Sequence, residues 1–194
     1  MIAAAILTGG HARRFLGRDK SRLVVSRDGL TILDRQLAML APLAADILIV
    51  TSAARLSDFT GVPGARAIAD AHPEAGPLGA ILTAIDAAAA DAVFVIGGDM
   101  PEVPAELVVA LAARHAAGGS DVTAPESARG IEPLAAMYAR SARPALAAAL
   151  ASGDLSLRHA LGRVRLEVMP AREVAAHGSP DRLFRNINSP DDMP

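Results

Sequence analysis

The chain contains no cysteine and no tryptophan, and only one tyrosine and four phenylalanines among its 194 residues. Without cysteine there can be no disulfide, no thiolate zinc site and no cysteine nucleophile, which suits a reducing compartment. So few aromatic rings leave no set of stacking platforms for single-stranded nucleic acid, and a formal net charge of -2 supplies no global basic field. No uncharged apolar run approaches the length of a membrane span, and the stretch Met1 to Gly10 lacks a basic lead and is too short for a secretory core. The histidines fall in no His-x-His or His-Glu-x-x-His spacing, and no serine sits in a Gly-x-Ser-x-Gly elbow. These absences predict a cytoplasmic protein that uses neither nucleic acid nor membrane as a partner. Its length and its 52% of hydrophobic residues are enough to bury a core, and they predict one domain over residues 1–194.

What is present begins at the amino end. Ile2 to Leu7 is a short uncharged apolar run, read as a buried strand, and it delivers the chain into a loop with glycines at 9, 10 and 17. Arg13, Arg14, Arg18, Lys20 and Arg22 stand there against a single acid, Asp19, so the loop is strongly positive in a slightly acidic protein. A strand, a glycine-rich turn and clustered cations make a cradle for phosphates, because backbone amides and side-chain cations offer converging donors to a polyanion. The spacing is neither that of a Walker loop nor that of the dinucleotide fingerprint.

Further along, Thr31-x-x-Asp34 reads as a capping box that opens a helix from about Ile32 to Leu40. Strands are expected at Ile47 to Val50, Ala65 to Ala69 and Val93 to Ile96, with helices opened by Gly76-Pro77 and near Pro104. That alternation predicts parallel strands joined by helical crossovers, in a sheet covered on both faces. The second half is less regular, with short strands expected at Asp121 to Ala124, Pro133 to Ala139 and Val164 to Val168. Helices are expected at Arg143 to Leu150 and Leu155 to Leu161, and Ser189-Pro190-Asp191-Asp192 reads as the cap and first turn of another.

In an open parallel sheet, ligands bind outside the carboxyl ends of the strands. Those ends carry the glycine loop, Thr51 and Ser52, Asp70, and Asp99 after Gly97-Gly98. An acid released from a buried strand by two glycines suits a hard cation, and magnesium needs only one or two carboxylates when phosphate oxygens complete its shell. The plainer alternative is that Asp99 caps the helix near Pro104. Arg158, Arg163 and Arg165 read as a solvated face or, alternatively, as a phosphate patch.

Leu7-Thr-Gly-Gly-x-x-x-Arg14, Gly17-x-Asp19-Lys20, Gly76-Pro77-Leu78-x-x-Ile81, Gly98-Asp99-Met100-Pro101 and Phe184-x-Asn186-Ile187-Asn188-Ser189-Pro190-Asp191 occur in that order across nearly the whole chain. Together they resemble the molybdenum cofactor guanylyltransferases, MobA-like nucleotidyltransferases. The resemblance implies an α/β fold, a three-layer α/β/α arrangement with a mostly parallel, Rossmann-like sheet, known as the nucleotide-diphospho-sugar transferase fold. It implies transfer of GMP from GTP to the terminal phosphate of molybdopterin, with release of pyrophosphate. By that likeness Leu7, Thr8, Gly9, Gly10 and Thr51 hold the base, and Asp70 holds the nucleoside. Lys20 and Arg14 then meet the phosphates, Asp99 holds Mg2+, and Asn186 and Asn188 line the acceptor side. The partners implied are GTP, the molybdenum cofactor, and acceptor molybdoenzymes or other cofactor-biosynthesis proteins.

Three departures from the family pattern carry expectations of their own. Leu16 replaces a glycine in the loop, and Thr51 stands where an asparagine is common. Gly97-Gly98 replaces a Pro-Cys type of approach, which predicts a looser mounting for Asp99 and removes side chains that would crowd a hydrated ion. The rival readings are a cytidylyltransferase acting on the same cofactor and a nucleotide-binding regulator without turnover.

Overall fold

A computed structural model describes residues 2–8 and 29–187. The glycine loop from Gly9 onward, with Gly10, Arg14 and Lys20, and the carboxyl-terminal residues from Asn188 lie outside the described residues.

The first half follows the alternation in the sequence. Strand β1 (Ile2–Leu7), helix α1 (Ile32–Leu40), strand β2 (Ala44–Thr51), a short helix α2 (Leu56–Phe59), strand β3 (Arg66–Ala69), helix α3 (Gly76–Ala87), strand β4 (Ala92–Gly97) and helix α4 (Ala105–Gly118) succeed one another. Helix α1 starts where its capping box requires. Thr31 Oγ1 accepts from the Asp34 amide at 3.1 Å, and the Asp34 carboxylate accepts from the Thr31 amide at 2.9 Å. β1 is central and parallel to both β2 and β4, and β2 is parallel to β3.

The second half departs from simple parallel crossovers. Strand β5 (Val122–Ser127) turns through a hairpin into β6 (Gly130–Ile131), and β7 (Ala135–Ala139) then inserts antiparallel between β4 and β5. Helices α5 (Arg143–Ala151) and α6 (Leu157–Leu161) lead to strand β8 (Leu166–Met169), which pairs parallel with β5; short helices α7 (Ala171–Val174) and α8 (Pro180–Leu183) follow. The hairpin explains the inserted strand, since a short return connection can only bring the chain back in the opposite direction. Among the described residues the strand order is β3-β2-β1-β4-β7-β5-β6, with β8 beside β5. The sheet is mostly parallel, as expected, with β7 and the short β6 as antiparallel elements that the sequence pattern did not reveal.

Two apolar layers flank this sheet. Along β1, Ala3, Ala5 and Leu7 face one cluster while Ala4 and Ile6 face the other, the period of two that a strand buried on both sides imposes. α3, α5 and α6 cover the first face through Leu78, Ile81, Leu146 and Leu161, and α1 and α4 cover the second through Leu33, Leu40, Leu107 and Leu111. Each such fully buried aliphatic side chain contributes roughly 1.5–3 kcal/mol. Small alanines in β1 let helices pack close to the central strand. Among the described residues, no helix is long and apolar enough to cross a membrane.

Among the polar groups buried in this core, one is a titratable imidazole. His115 of α4 is buried and its Nδ1 lies 2.9 Å from Thr123 Oγ1 on β5. Burial holds the imidazole below its ordinary pKa of 6.5, against a weaker upward pull from Glu167 and Asp121. The unfolded chain therefore binds the extra proton first, so this contribution to stability is complete above about pH 6.5 and lost as pH falls below it. Urea denaturation between pH 7 and pH 5 should show stability falling more steeply for the wild type than for His115→Gln, which keeps a polar group but cannot titrate.

Candidate active site

Register sets the ends of the parallel strands level with one another. Leu7 stands opposite Val50 and Gly97, and Thr51 stands opposite Ala69, so residues following β1, β2, β3 and β4 emerge along one rim. Leu7, Thr8, Thr51, Asp70 and Asp99 all lie on that rim, as the strand-end reading requires. Thr8 is fastened to the end of β2, with its amide and its Oγ1 both donating to Val50 O, at 2.9 and 3.1 Å.

Thr51 and Asp70 share a cavity of about 440 Å³, closed on its other sides by Ser52, Arg55, Gly76 and Pro77 and by Leu155 from the segment before α6. That volume falls in the range of small-molecule sites, roughly 300–1,000 Å³. Asp70 is set by the turn between β3 and α3. Its amide donates to Thr51 O at 2.6 Å, and its Oδ1 accepts from the His72 amide and from Thr83 Oγ1, each at 2.9 Å. The carboxylate is thus oriented by one oxygen while remaining part of the cavity wall. Thr51 is fully buried, and its Oγ1 has no hydrogen-bond partner among the described residues. A buried hydroxyl left unpaired costs about 1–3 kcal/mol.

Asp99 lies in a tight turn, Gly97 to Met100, closed by the Met100 amide donating to Gly97 O at 3.2 Å. Gly97 N donates to Leu134 O, Gly98 N to Leu7 O, and Ile187 N to Asp99 O, all at 2.9 Å. From α1, Gln36 Nε2 donates to Gly97 O at 2.8 Å and to Met100 O at 3.0 Å. The expected loosening of Asp99 is therefore corrected: its turn is held from the end of β1, from α1 and from the carboxyl-terminal segment. The glycines also serve another end than room for an ion. A Cβ on Gly98 would lie 3.0 Å from Leu7 O, and one on Gly97 would lie 3.0 Å from Asp99 Oδ1. The missing Cβ at Gly98 allows the turn to sit directly on the rim of β1. Nor does Asp99 cap the following helix, since α4 starts after Pro104 with no side-chain cap.

Asn186 is half-buried next to Ile187, whose side chain is fully buried, and Phe184 anchors the same segment in the core. Arg129 Nη2 donates to Phe184 O at 2.7 Å and so ties that segment to the β5–β6 hairpin. Of the three arginines considered as a patch, Arg163 pairs with Asp154 and Arg165 with Asp121. Sequence reasoning missed Gln36 and the cavity wall at Leu155. Gln36 was findable in principle, as a polar residue in the stripe of Ile32, Leu33, Leu37 and Leu40; nothing local marks Leu155.

Residues 4–168 match the family model of the MobA-like NTP transferase domain. The chain belongs to this family. Among its relatives is a probable molybdenum cofactor guanylyltransferase of Chloroflexus aggregans, 33% identical over 196 residues, with 100% of this chain and 92% of the relative covered. The solved structure of molybdopterin-guanine dinucleotide biosynthesis protein A from Archaeoglobus fulgidus superposes with a TM-score of 0.83 at 26% identity, covering 99% of this chain and 95% of that one. A 2-C-methyl-D-erythritol 4-phosphate cytidylyltransferase from Thermus thermophilus shares the fold, with a TM-score of 0.65 at 17% identity over 100% of this chain and 96% of that one.

The close seat of the turn on β1 makes a direct prediction. Gly98→Ala should cost about 1–3 kcal/mol, because the nearest neighbour of the added methyl is the backbone oxygen of Leu7, which can yield only by moving the strand end or the turn. Chemical denaturation of the two proteins measures it.

Proposed function

We propose that this chain transfers GMP from GTP to the terminal phosphate of molybdopterin, releasing pyrophosphate and forming the guanine dinucleotide of the cofactor. One observation carries the reading: the order of the strand ends along the rim. The cavity with Thr51 and Asp70 lies over β2 and β3, the glycine loop leaves β1, and Asp99 follows β4 on the other side, held by the Asn186-Ile187 segment. A nucleoside, its phosphates, a cation and an acceptor phosphate follow one another in that same order in the reacting pair.

In this reading the Thr51 hydroxyl and the backbone of Leu7, Thr8, Gly9 and Gly10 contact the base, and Asp70 takes the ribose side. Arg14 and Lys20 of the basic loop meet the triphosphate. Asn186 and Asn188 line the acceptor side. Asp99 offers one hard carboxylate oxygen, and among the described residues no group of three or more metal-ligating side chains accompanies it. That donor set suits Mg2+, which keeps most of its waters and takes phosphate oxygens rather than a protein cage. When bound, the cation neutralises the charge of the phosphates brought together.

An oxygen of the acceptor phosphate attacks the α-phosphorus in line, a new P–O bond forms, and the bond to the bridging oxygen breaks with pyrophosphate leaving. The attacking oxygen is already ionised, so no general base is required, and the protein's work is alignment and charge stabilisation. The chain acts as one transferase domain in the cytoplasm, and its product passes to molybdoenzymes or to other proteins of cofactor assembly.

The reading is tested by comparing GTP and CTP as donors to molybdopterin. GTP should bind at least tenfold tighter, about 1.4 kcal/mol, and the opposite preference would assign the chain to cytidylyl transfer. Thr51→Val tests the base contact separately. Removing the orphan hydroxyl should leave the fold as stable or more so, while GTP binding weakens about five- to tenfold for the loss of one hydrogen bond. Calorimetric titration and thermal melting of the same variant give both quantities.

A further inference from the structure

We propose that Gln36 is a positioning residue for the metal carboxylate, acting through the backbone of the turn that carries Asp99; this rests on the reading of Asp99 as the metal ligand. Gln36 lies in the middle of α1, 2% exposed, among residues whose task is to pack against the sheet. Ile32, Leu33 and Leu40 on the same helix are buried aliphatic side chains, and a fourth would be the expected occupant.

The amide there makes two bonds to one target. Nε2 donates to Gly97 O at 2.8 Å and to Met100 O at 3.0 Å, the carbonyls at the two ends of the turn around Asp99. Their acceptors settle the orientation of the amide, because the flipped form would set its oxygen against two carbonyl oxygens. Its own oxygen, Oε1, is buried without a partner among the described residues. An amide kept in the core with one end unsatisfied is explained by what its other end holds. A single bond would join α1 to the turn. Two bonds, to the first and last residues, also fix the turn's tilt about β4, and hence the direction in which the Asp99 carboxylate leaves the rim.

Gln36 joins the other ties of the turn from α1, and bonds both of its ends. Gly98 N to Leu7 O sets how near the turn comes to β1, and Ile187 N to Asp99 O sets its contact with the carboxyl-terminal segment. At the Met100 end the Gln36 bond acts together with the buried Met100 side chain. Metal sites are sensitive to such support, and loss of an outer partner typically weakens metal binding about 10- to 100-fold.

The test measures metal affinity apart from turnover. Mn2+ is titrated into the protein with GTP present and no acceptor, followed by electron paramagnetic resonance, for the wild type, Gln36→Met, Gln36→Asn, Leu33→Ala and Asp99→Asn. Gln36→Met keeps the volume but has no donor, and should weaken Mn2+ about tenfold or more. Gln36→Asn is one methylene shorter, reaches one carbonyl at most, and should fall between; if Gln36→Met does not fold, this variant alone carries the comparison. Leu33→Ala destabilises the same helix without touching the turn and should leave Mn2+ affinity unchanged. The proposal is overturned if the Gln36 variants bind Mn2+ within twofold of wild type while Asp99→Asn has lost it, or if Leu33→Ala shifts the affinity as far as Gln36→Met. Should Asp99→Asn also bind normally, the assignment of Asp99 itself fails, and the role of Gln36 with it.

Discussion

The turn from Gly97 to Met100 is the point on which the site depends. It must deliver a carboxylate directly from a strand buried from Val93 onward, and its own packing is limited to the buried Met100 side chain. Backbone hydrogen bonds supply that support, from Leu7 on one side and from Ile187 on the other, together with two side-chain bonds from Gln36. The absence of a Cβ at Gly98 is the condition for the first of these, since the turn rests on the backbone of Leu7 and Thr8. Three parts of the chain that are distant in sequence therefore meet at one acid.

The same economy appears on the other side of the rim. Asp70 is oriented by its Oδ1 bonds to the His72 amide and the Thr83 hydroxyl, which shape the turn into α3. Thr51, in contrast, lines the cavity and keeps a buried hydroxyl that is unpaired among the described residues. A protein core tolerates such a group at a cost of about 1–3 kcal/mol, and the cost is returned only when something fills the place. The rigid sheet thus presents oriented polar groups in advance of the ligand, which is the arrangement phosphoryl transfer needs. Its transition state asks for alignment and charge compensation rather than for a proton relay.

Much of the architecture was legible because it is local. Apolar runs ending in polar residues located β1, β2 and β4, a capping box located the start of α1, and alternation of strands and helices identified the parallel half. The strand-end rule then collected the glycine loop, Thr51, Ser52, Asp70 and Asp99 on one rim, and register sets the ends that carry Thr51, Asp70 and Asp99 there. The antiparallel insertion of β7 was not legible, because an apolar pentapeptide has the same period of two whichever way it runs. The firm mounting of Asp99 was not legible either. Two adjacent glycines read as slack when only neighbours in sequence are considered, and as close packing once Leu7 is set beside them.

What the sequence determined by itself is the set of chemical types and their order: a basic glycine loop, acids released at strand ends, and a family pattern running from Leu7 to Asp191. These follow from composition and short-range spacing, and no tertiary contact is needed to state them. The tertiary structure decided which of these groups share a space and which are held by others. It set Asp70 and Thr51 in one cavity with Leu155, and it turned Gln36 of α1 from a polar exception on an apolar stripe into the support of Asp99. The physical reason is that a hydrogen bond between residues 61 and 64 positions apart, such as those of Gln36, leaves no trace in local propensity. It exists only after the sheet has brought its two ends together.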